Sequence, residues 1–449
     1  MIVKPAIVTG ATLFFAALPA SANLLSDLYQ RAVQHDGQYQ AALAQHQAAL
    51  QARPQLRAGI LPTLGASASY SRNRQDVQQT NFPGGGSGGD SDSSEVTFFN
   101  SLTANLQLTQ PLFDWGVFAR LRQIDERIAQ AEAELSAADQ ALILRTVSAY
   151  FDWLAAEDSL RFARAEKEAI QQQLKQAQSR YEVGLSAITD VQEAQARFDL
   201  ADAQEISAAS TLRSSREALR VITGDWPDAP ALLRTPLETH PPEPANPDAW
   251  VEQALNSNLD LKAAELARGV AREQIREQRA SQLPSLNLIG THRYSDEADR
   301  LFGSKSEFSS IGLQLDLPLF SGGANLARVK EQRFLHDRAI ALLDQARREA
   351  RQGARDAYDG VVTGAAQVRA LRQAVKSSEV ARDAVVAGFD VGSRTSVDVL
   401  DAQRELFRAQ RDLSRARYDY LLSILRLKQS VGALSVADVD RLDGMLEGA

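Results

Sequence analysis

The segment FDVGSRTSVDVLDAQ, Phe389 to Gln403, sets two carboxylates three residues apart, Asp398 and Asp401. Residues at i and i+3 share a helix face, so two like charges point the same way. A glycine and a short polar loop precede them, with helical patterns on either side. Carboxylates in a first helical turn are favoured by capping and by the helix dipole, which is the ordinary role for either residue. Gathered at one place, they would also attract cations and repel anions. The chain repeats the phrase 208 residues earlier. YEVGLSAITDVQEAQ, Tyr181 to Gln195, sets Gly184 against Gly392, Asp190 against Asp398, and Ala194-Gln195 against Ala402-Gln403. A phrase used twice at long range points to an internal duplication.

Residues suited to catalysis do not form a site. Gly85-x-Ser87-x-Gly89 has the spacing of a nucleophile elbow, but that motif needs a strand-to-helix turn and here it lies in GGGSGG. The five histidines, His35, His46, His240, His292 and His336, show no metal spacing such as HExxH. No nucleophile–base pair stands out, so neither enzyme activity nor a cofactor or metal is expected. With 49 Lys and Arg against 57 Asp and Glu, the net charge is −8 and there is no basic block to hold nucleic acid.

The elements that carry the aspartates emerge from the rest of the chain. Residues 1–22 read as a secretory signal: Lys4 is the only charge, an apolar run extends through Leu18, and Ala20-Ser21-Ala22 forms a small-x-small cleavage site. A buried N-terminal helix is the competing reading. Beyond it no run of 18 apolar residues exists, so no transmembrane helix is expected. The chain has no cysteine, which leaves no disulfide, thiolate metal site or lipid-bearing Cys. Seven of the 15 prolines fall between Pro227 and Pro247, so that stretch cannot be a helix interior. The expected organisation is a signal at 1–22, a first repeat at 23–223, a Pro-rich linker at 224–247, a second repeat at 248–432 and a C-terminal tail at 433–449.

The halves align with local offsets. Ala32 matches Ala254 and Leu61-Pro62 matches Leu283-Pro284, both 222 apart, whereas Pro111-Leu112-Phe113 matches Pro318-Leu319-Phe320, 207 apart. The difference falls at the Gly/Ser-rich insert Phe82 to Ser94, a lengthened loop at a hairpin tip. Between the proline markers each half holds a β-hairpin, at 63–113 and 285–320. Leu102, Ala104, Leu106 and Leu108 alternate with polar residues, as do Ile311, Leu313, Leu315 and Leu317; Thr63–Ser71 and Ser285–Tyr294 are weaker versions. Such segments are long enough to cross a bilayer as tilted strands, although soluble sandwich strands alternate in the same way.

The remainder is helical. Each half reads as a helix before the hairpin (Leu24 to Arg57; Asp248 to Gln282), a long helix (Val117 to Glu182; Ala324 to Asp390) and a returning helix (Asp190 to Ile222; Ser396 to Val431). Leu121, Ile124, Ile128, Ala131, Leu135, Ala138 and Leu142 follow the 3-4 spacing of a coiled-coil seam. Four strands cannot close a membrane barrel, and open edges in lipid leave backbone groups unpaired. Strands that span a membrane would therefore have to be pooled: two chains give a plugged eight-stranded barrel, and three give twelve strands with room for a lumen.

Taken together, NLLSDLYQRAVQHD, LPTLGASASYS, TQPLFDWG, YDYLLSILRLKQSVGAL and, most specifically, VGLSAITDVQEAQARFD and VGSRTSVDVLDAQ resemble the TolC family of outer-membrane efflux and type I secretion channels. The resemblance covers everything after the signal. It implies a mainly α fold with a β-barrel part: a homotrimer whose twelve-stranded barrel sits in outer-membrane lipid and is continued by a long α-helical coiled-coil barrel through the periplasm of a Gram-negative cell. It implies export of proteins or toxic compounds, with a periplasmic adaptor and an inner-membrane ABC or RND-type transporter as partners, and a closed entrance that opens on recruitment. A secreted structural coiled-coil protein without channel activity is the alternative, and it leaves the two hairpins unexplained.

Residue by residue, the resemblance makes Asp398 and Asp401 two stacked carboxylate rings in the lumen. It makes Thr189, Asp190, Phe389 and Arg394 the links that close the entrance. It also makes Val183, Gly184, Leu185, Val391, Gly392 and Ser393 the turns that meet the adaptor. Phe389 departs from the pattern, standing where a family member has Tyr, so the hydroxyl part of that link is missing.

Overall fold

The computed structural model describes residues 24–78, 94–226, 230–234, 237–297 and 304–446. The expected signal at 1–22 and residues 82–93 of the insert, with the Gly85-x-Ser87-x-Gly89 spacing, lie outside them. In chain order the elements are α1 (Leu24–His35), α2 (Gly37–Leu50), α3 (Ala52–Ala58), β1 (Thr63–Gln78), β2 (Ser94–Phe113), α4 (Trp115–Glu182), α5 (Ile188–Thr223), α6 (Pro247–Ser257), α7 (Leu259–Ala280), β3 (Ser285–Glu297), β4 (Ser304–Asp316), α8 (Ala324–Asp390), α9 (Ser396–Ser430) and α10 (Val436–Asp443). The chain divides into two compact units. One holds the described residues of 1–43, 134–261 and 347–449, and the other holds those of 44–133 and 262–346.

The second of these units contains the sheet. Its strands run in the order β1-β2-β3-β4, all neighbours antiparallel, so β1 and β4 are its edges. The strands are longer than the alternating cores that announce them, at 16, 20, 13 and 13 residues. Pairing extends past the apolar alternation because the flanking Ser, Asn and Arg residues keep the ladder without needing a buried face. β2 runs through Pro111, which has no N–H for the ladder, and the register shifts between Pro111 and Phe113.

The register sorts the side chains by face. Leu64 pairs with Leu108, Ala66 with Leu106 and Tyr70 with Leu102. Across the other hairpin Leu286 pairs with Leu315, Leu288 with Leu313 and Gly290 with Ile311. The opposite face carries Ser67 with Asn105, Ser69 with Thr103 and Asn287 with Gln314. The apolar face is not covered by the chain: Ile311 is 75% exposed, and Leu64, Leu313 and Leu315 are nearly as open. Water makes such a surface unfavourable and hydrocarbon does not. Beside the end of β2, Phe113, Trp115 and Phe118 form an aromatic cluster with centroids 5.2 to 6.4 Å apart.

The other unit has the larger core. Tyr150, Phe151, Trp153 and Leu154 of α4 are buried with Val361, Ala365 and Val368 of α8 and with Tyr418, Leu421, Leu422 and Leu425 of α9. Phe151 stacks on Tyr418 at 5.5 Å. Of the expected seam, Ile128, Ala131 and Leu142 are buried, while Leu121 is exposed. The four glycines inside α8 do not interrupt it.

Two expected single helices are broken at Asp36 and Asn258, where a side chain competes with the helix for backbone groups, and the first is interrupted again at Gln51, which makes no side-chain cap. Asp36 ends α1: its carboxylate accepts the Tyr39 N–H at 2.8 Å and pairs with Arg145 at 2.6 Å. Asn258 separates α6 from α7, accepting the Leu261 N–H at 2.9 Å and donating to the Ser430 carbonyl at 2.9 Å. The stretch read as a tail also carries a helix, α10, opened by a Ser435–Asp438 capping box. Asp443 at its end accepts the N–H groups of Leu25 and Ser26, at 2.7 and 2.9 Å. A carboxylate brought from over 400 residues away thus satisfies orphan donors at the start of α1.

Candidate functional site

The repeated phrase forms two turns of the same build. One joins α4 to α5 and the other joins α8 to α9. In the first, Gly184 N–H donates to the Tyr181 carbonyl at 2.9 Å and Leu185 N–H to the Arg180 carbonyl at 2.8 Å. In the second, Gly392 N–H donates to the Phe389 carbonyl at 3.0 Å and Ser393 N–H to the Gly388 carbonyl at 2.8 Å. Gly184 and Gly392 have φ of 75° and 77°, the left-handed conformation that ends a helix and that glycine adopts without a Cβ clash.

The returning helices begin differently. α9 opens on a capping box. The Thr395 hydroxyl accepts the Asp398 N–H at 3.2 Å, and the Asp398 carboxylate accepts the Thr395 N–H at 2.9 Å and lies 3.0 Å from the Thr395 hydroxyl. The bond from the Thr395 backbone, helped by the Thr395 hydroxyl and the Arg394 charge, holds the Asp398 carboxyl below the usual carboxylate range. α5 has Ala187 at the corresponding position, with no side chain to cap it. Asp190 N–H bonds to the Ala187 carbonyl at 3.1 Å. The Asp190 carboxylate has no hydrogen bond or ion pair among the described residues, and Thr189 beside it is exposed.

Asp401 is placed one turn into α9, and it is not an isolated charge. Arg197 of α5 approaches its Oδ1 at 3.0 Å, and Arg404, three residues along α9, approaches the same oxygen at 3.3 Å. Neither arginine figures in the reading of the sequence. Arg404 was open to discovery there as an i+3 partner of Asp401. Arg197 was not, because only the packing of α5 beside α9 brings it to Asp401. Beneath these polar groups Ile170, Leu174, Ala177, Ala194, Ala201 and Leu400 make a small buried cluster that ties α4, α5 and α9 together.

The remaining expected links are arranged as follows. Within one chain no ion pair of 4.0 Å or less joins Arg394 to Asp190 among the described residues. The Arg394 stem instead lies against Gly388, its Cγ 2.8 Å from where a Cβ would stand. Phe389 lies under the Arg180 guanidinium, 4.9 Å from ring centroid to Cζ, so the two long helices are tied by a cation–π contact beside the turns. The outermost side chains are apolar and open, with Val183 69%, Leu185 71% and Val391 81% exposed.

Comparison with known proteins finds likeness over nearly the whole chain. The family model described as outer membrane efflux protein matches residues 28–225 and 250–433. The outer membrane protein TolC of Vibrio cholerae is 38% identical over 422 residues, covering 93% of this chain and 92% of that protein. The alkaline protease secretion protein AprF of Pseudomonas aeruginosa is 33% identical over 434 residues, covering 96% and 89%. Among solved structures, the outer membrane protein VceC of Vibrio cholerae superposes with a TM-score of 0.71 at 22% identity, covering 91% of this chain and 96% of that one.

Proposed function

Since the chain belongs to the outer membrane efflux protein family, we propose that three copies assemble into one channel, each giving four strands to a twelve-stranded barrel. The chain is an outer-membrane export channel of the efflux and secretion type. The family is one of transport proteins rather than enzymes. Proteins of this kind serve export systems and so act with partners. The finer assignment is that the partners are a periplasmic adaptor and an inner-membrane transporter of the ABC or RND type.

The observation that carries the assembly is the sheet. It has four strands, an uncovered leucine-rich face and two edges, β1 and β4, with no partner strand among the described residues. Each unsatisfied backbone group in hydrocarbon costs several kcal/mol, so the edges must be closed by other copies. Two copies would leave a lumen filled by side chains, whereas three leave a passage. The Ser, Thr and Asn face then lines the passage and the leucine face meets lipid. The long helices form the α-helical barrel, with both repeated turns at its periplasmic end. Their exposed Val183, Leu185 and Val391 supply the apolar contact an adaptor needs, together with Gly184, Gly392 and Ser393. Asp398 and Asp401 face the lumen there, and Thr189, Asp190, Arg394 and Phe389 line the seam between copies that closes the entrance.

The test uses the full chain purified from the outer membrane in detergent. Crosslinking should stop at a trimer, and reconstitution into a planar bilayer should give discrete cation-selective conductance. A monomeric, water-soluble and non-conducting product would overturn the assembly.

A further inference from the structure

We propose that Arg197 is a selectivity-determining residue of this entrance, neutralising Asp401 so that the second carboxylate ring carries far less charge than its aspartates suggest. The inference rests on the reading that Asp398 and Asp401 face the lumen. Its own support is the geometry on α5 and α9. Arg197 crosses from one returning helix to the other and brings its guanidinium 3.0 Å from Asp401 Oδ1. Its side chain is 25% exposed against 42% for Asp401, and the Oδ1 it approaches is itself buried although the rest of the carboxylate side chain is open. Asp401 Oδ1 accepts no hydrogen bond, so the attraction is Coulombic and acts on the carboxylate's charge rather than through a directed bond.

Arg197 shares this carboxylate with a second arginine and is the one that reaches it from the other helix. Arg404 also reaches Oδ1, at 3.3 Å, but it stands on α9 itself and is 47% exposed. Glu193 lies 4.0 Å from Arg197, and Glu405 lies 3.9 Å from Arg404. Both are at the limit of ion pairing and are more distant than Asp401. Asp401, Glu193 and Glu405 against Arg197 and Arg404 sum to −1 per chain (−3 + 2), and removing Arg197 makes this −2. Around a three-chain lumen the same change is from −3 to −6. Asp398 keeps its own charge, held ionised by the Thr395 bonds, and lies outside this sum because no ion pair joins it to Arg197 among the described residues. The field in a narrow passage, and with it the preference for cations, follows that fixed charge. Arginine suits the task because it stays charged at any working pH.

The experiment is reversal-potential measurement on the full-chain channel in a planar bilayer under a KCl gradient, with calcium added on the entrance side. Arg197→Gln should raise the K⁺/Cl⁻ permeability ratio about two- to threefold. It should lower the half-blocking calcium concentration by a similar factor, since more unpaired carboxylates bridge a divalent ion better. Arg197→Lys should keep wild-type values, and Arg197→Gln with Asp401→Asn should return near them. If Arg197→Gln leaves the ratio unchanged while Asp398→Asn lowers it, the rings stand and the role of Arg197 falls. If Arg197→Gln raises conductance without moving the ratio, Arg197 is only a tie between helices and the inference is overturned. If neither Arg197→Gln nor Asp398→Asn moves the ratio, the lumen placement of the aspartates fails, and this inference fails with it.

Discussion

The turn after α4 and the turn after α8 are closed by the same pair of hydrogen bonds around a glycine at nearly the same φ, yet the helices that leave them start on different chemistry. At the second, Thr395 and Asp398 cap each other, and the carboxylate is spent on the backbone. At the first, Ala187 caps nothing, and the Asp190 carboxylate is left without a partner among the described residues. After duplication the backbone requirement, a left-handed residue at the reversal, is kept in both copies because only glycine meets it without strain. The side-chain requirement is local and can lapse in one copy.

Breaking the shared part should cost most. Gly184→Val and Gly392→Val each force a β-branched residue into the left-handed region, at about 2 kcal/mol of local stability. Hydrogen exchange at the two turns should register similar losses; no loss at either turn would mean that it does not hold this conformation. Next comes the difference between the copies. Thr395→Ala should weaken the start of α9 by about 1 kcal/mol, and Ala187→Thr should strengthen the start of α5 by a somewhat smaller amount, because Asp190 already stands three residues on, where a capping box needs it. If loss of Thr395 leaves α9 unchanged, or gain of Thr at position 187 leaves α5 unchanged, the two helix starts do not differ in capping.

Acid should separate the turns as well. The Asp398 carboxyl is held below its usual range by the Thr395 backbone and hydroxyl. Its contribution is therefore fully present above the unfolded carboxyl value of about 3.9 and is lost as pH falls through the lower folded value. Protection of the first α9 amides, corrected for intrinsic exchange, should hold from neutral pH to about pH 5 and drop below about pH 4. The start of α5, with Ala187 in the capping position, lacks the carboxylate bond and should show no matching drop.

Much of this was legible in the sequence because it depends on periodicity and on residues with few alternatives. The paired glycines, the alternation at Leu102–Leu108 and Ile311–Leu317, and the proline-free run before Glu182 each have one good backbone solution. The breaks at Asp36 and Asn258 were not legible, since their side chains act as helix stops only when Arg145 and the Ser430 carbonyl stand opposite. α10 was missed for a related reason: eight residues make a marginal helix in isolation, and it is held by what it docks on. At the site, the aspartates were visible and the arginine that packing brings beside Asp401 was not. Asp401 and Arg197 are 204 positions apart and meet only through helix packing.

The smallest expected effect lies at Phe389, at the end of α8. The ring lies under the Arg180 guanidinium at 4.9 Å, a contact worth about 0.5–1 kcal/mol at an exposed position. Phe and Tyr present similar faces to a cation, so Phe389→Tyr keeps this tie between α4 and α8 and adds only a hydroxyl. If the entrance closes through links between copies, that hydroxyl gains a partner there and the closed channel should leak slightly less current in a planar bilayer. Phe389→Leu keeps apolar bulk but removes the π face, so it should free Arg180 and raise the leak. The two substitutions thus test different parts of one side chain. Opposite shifts would assign closure to both the stack and the seam. A response to Leu alone would show that Arg180–Phe389 holds the second turn to the first without help from the missing hydroxyl. No response to either would remove Phe389 from the closing network and leave it as packing at the end of α8.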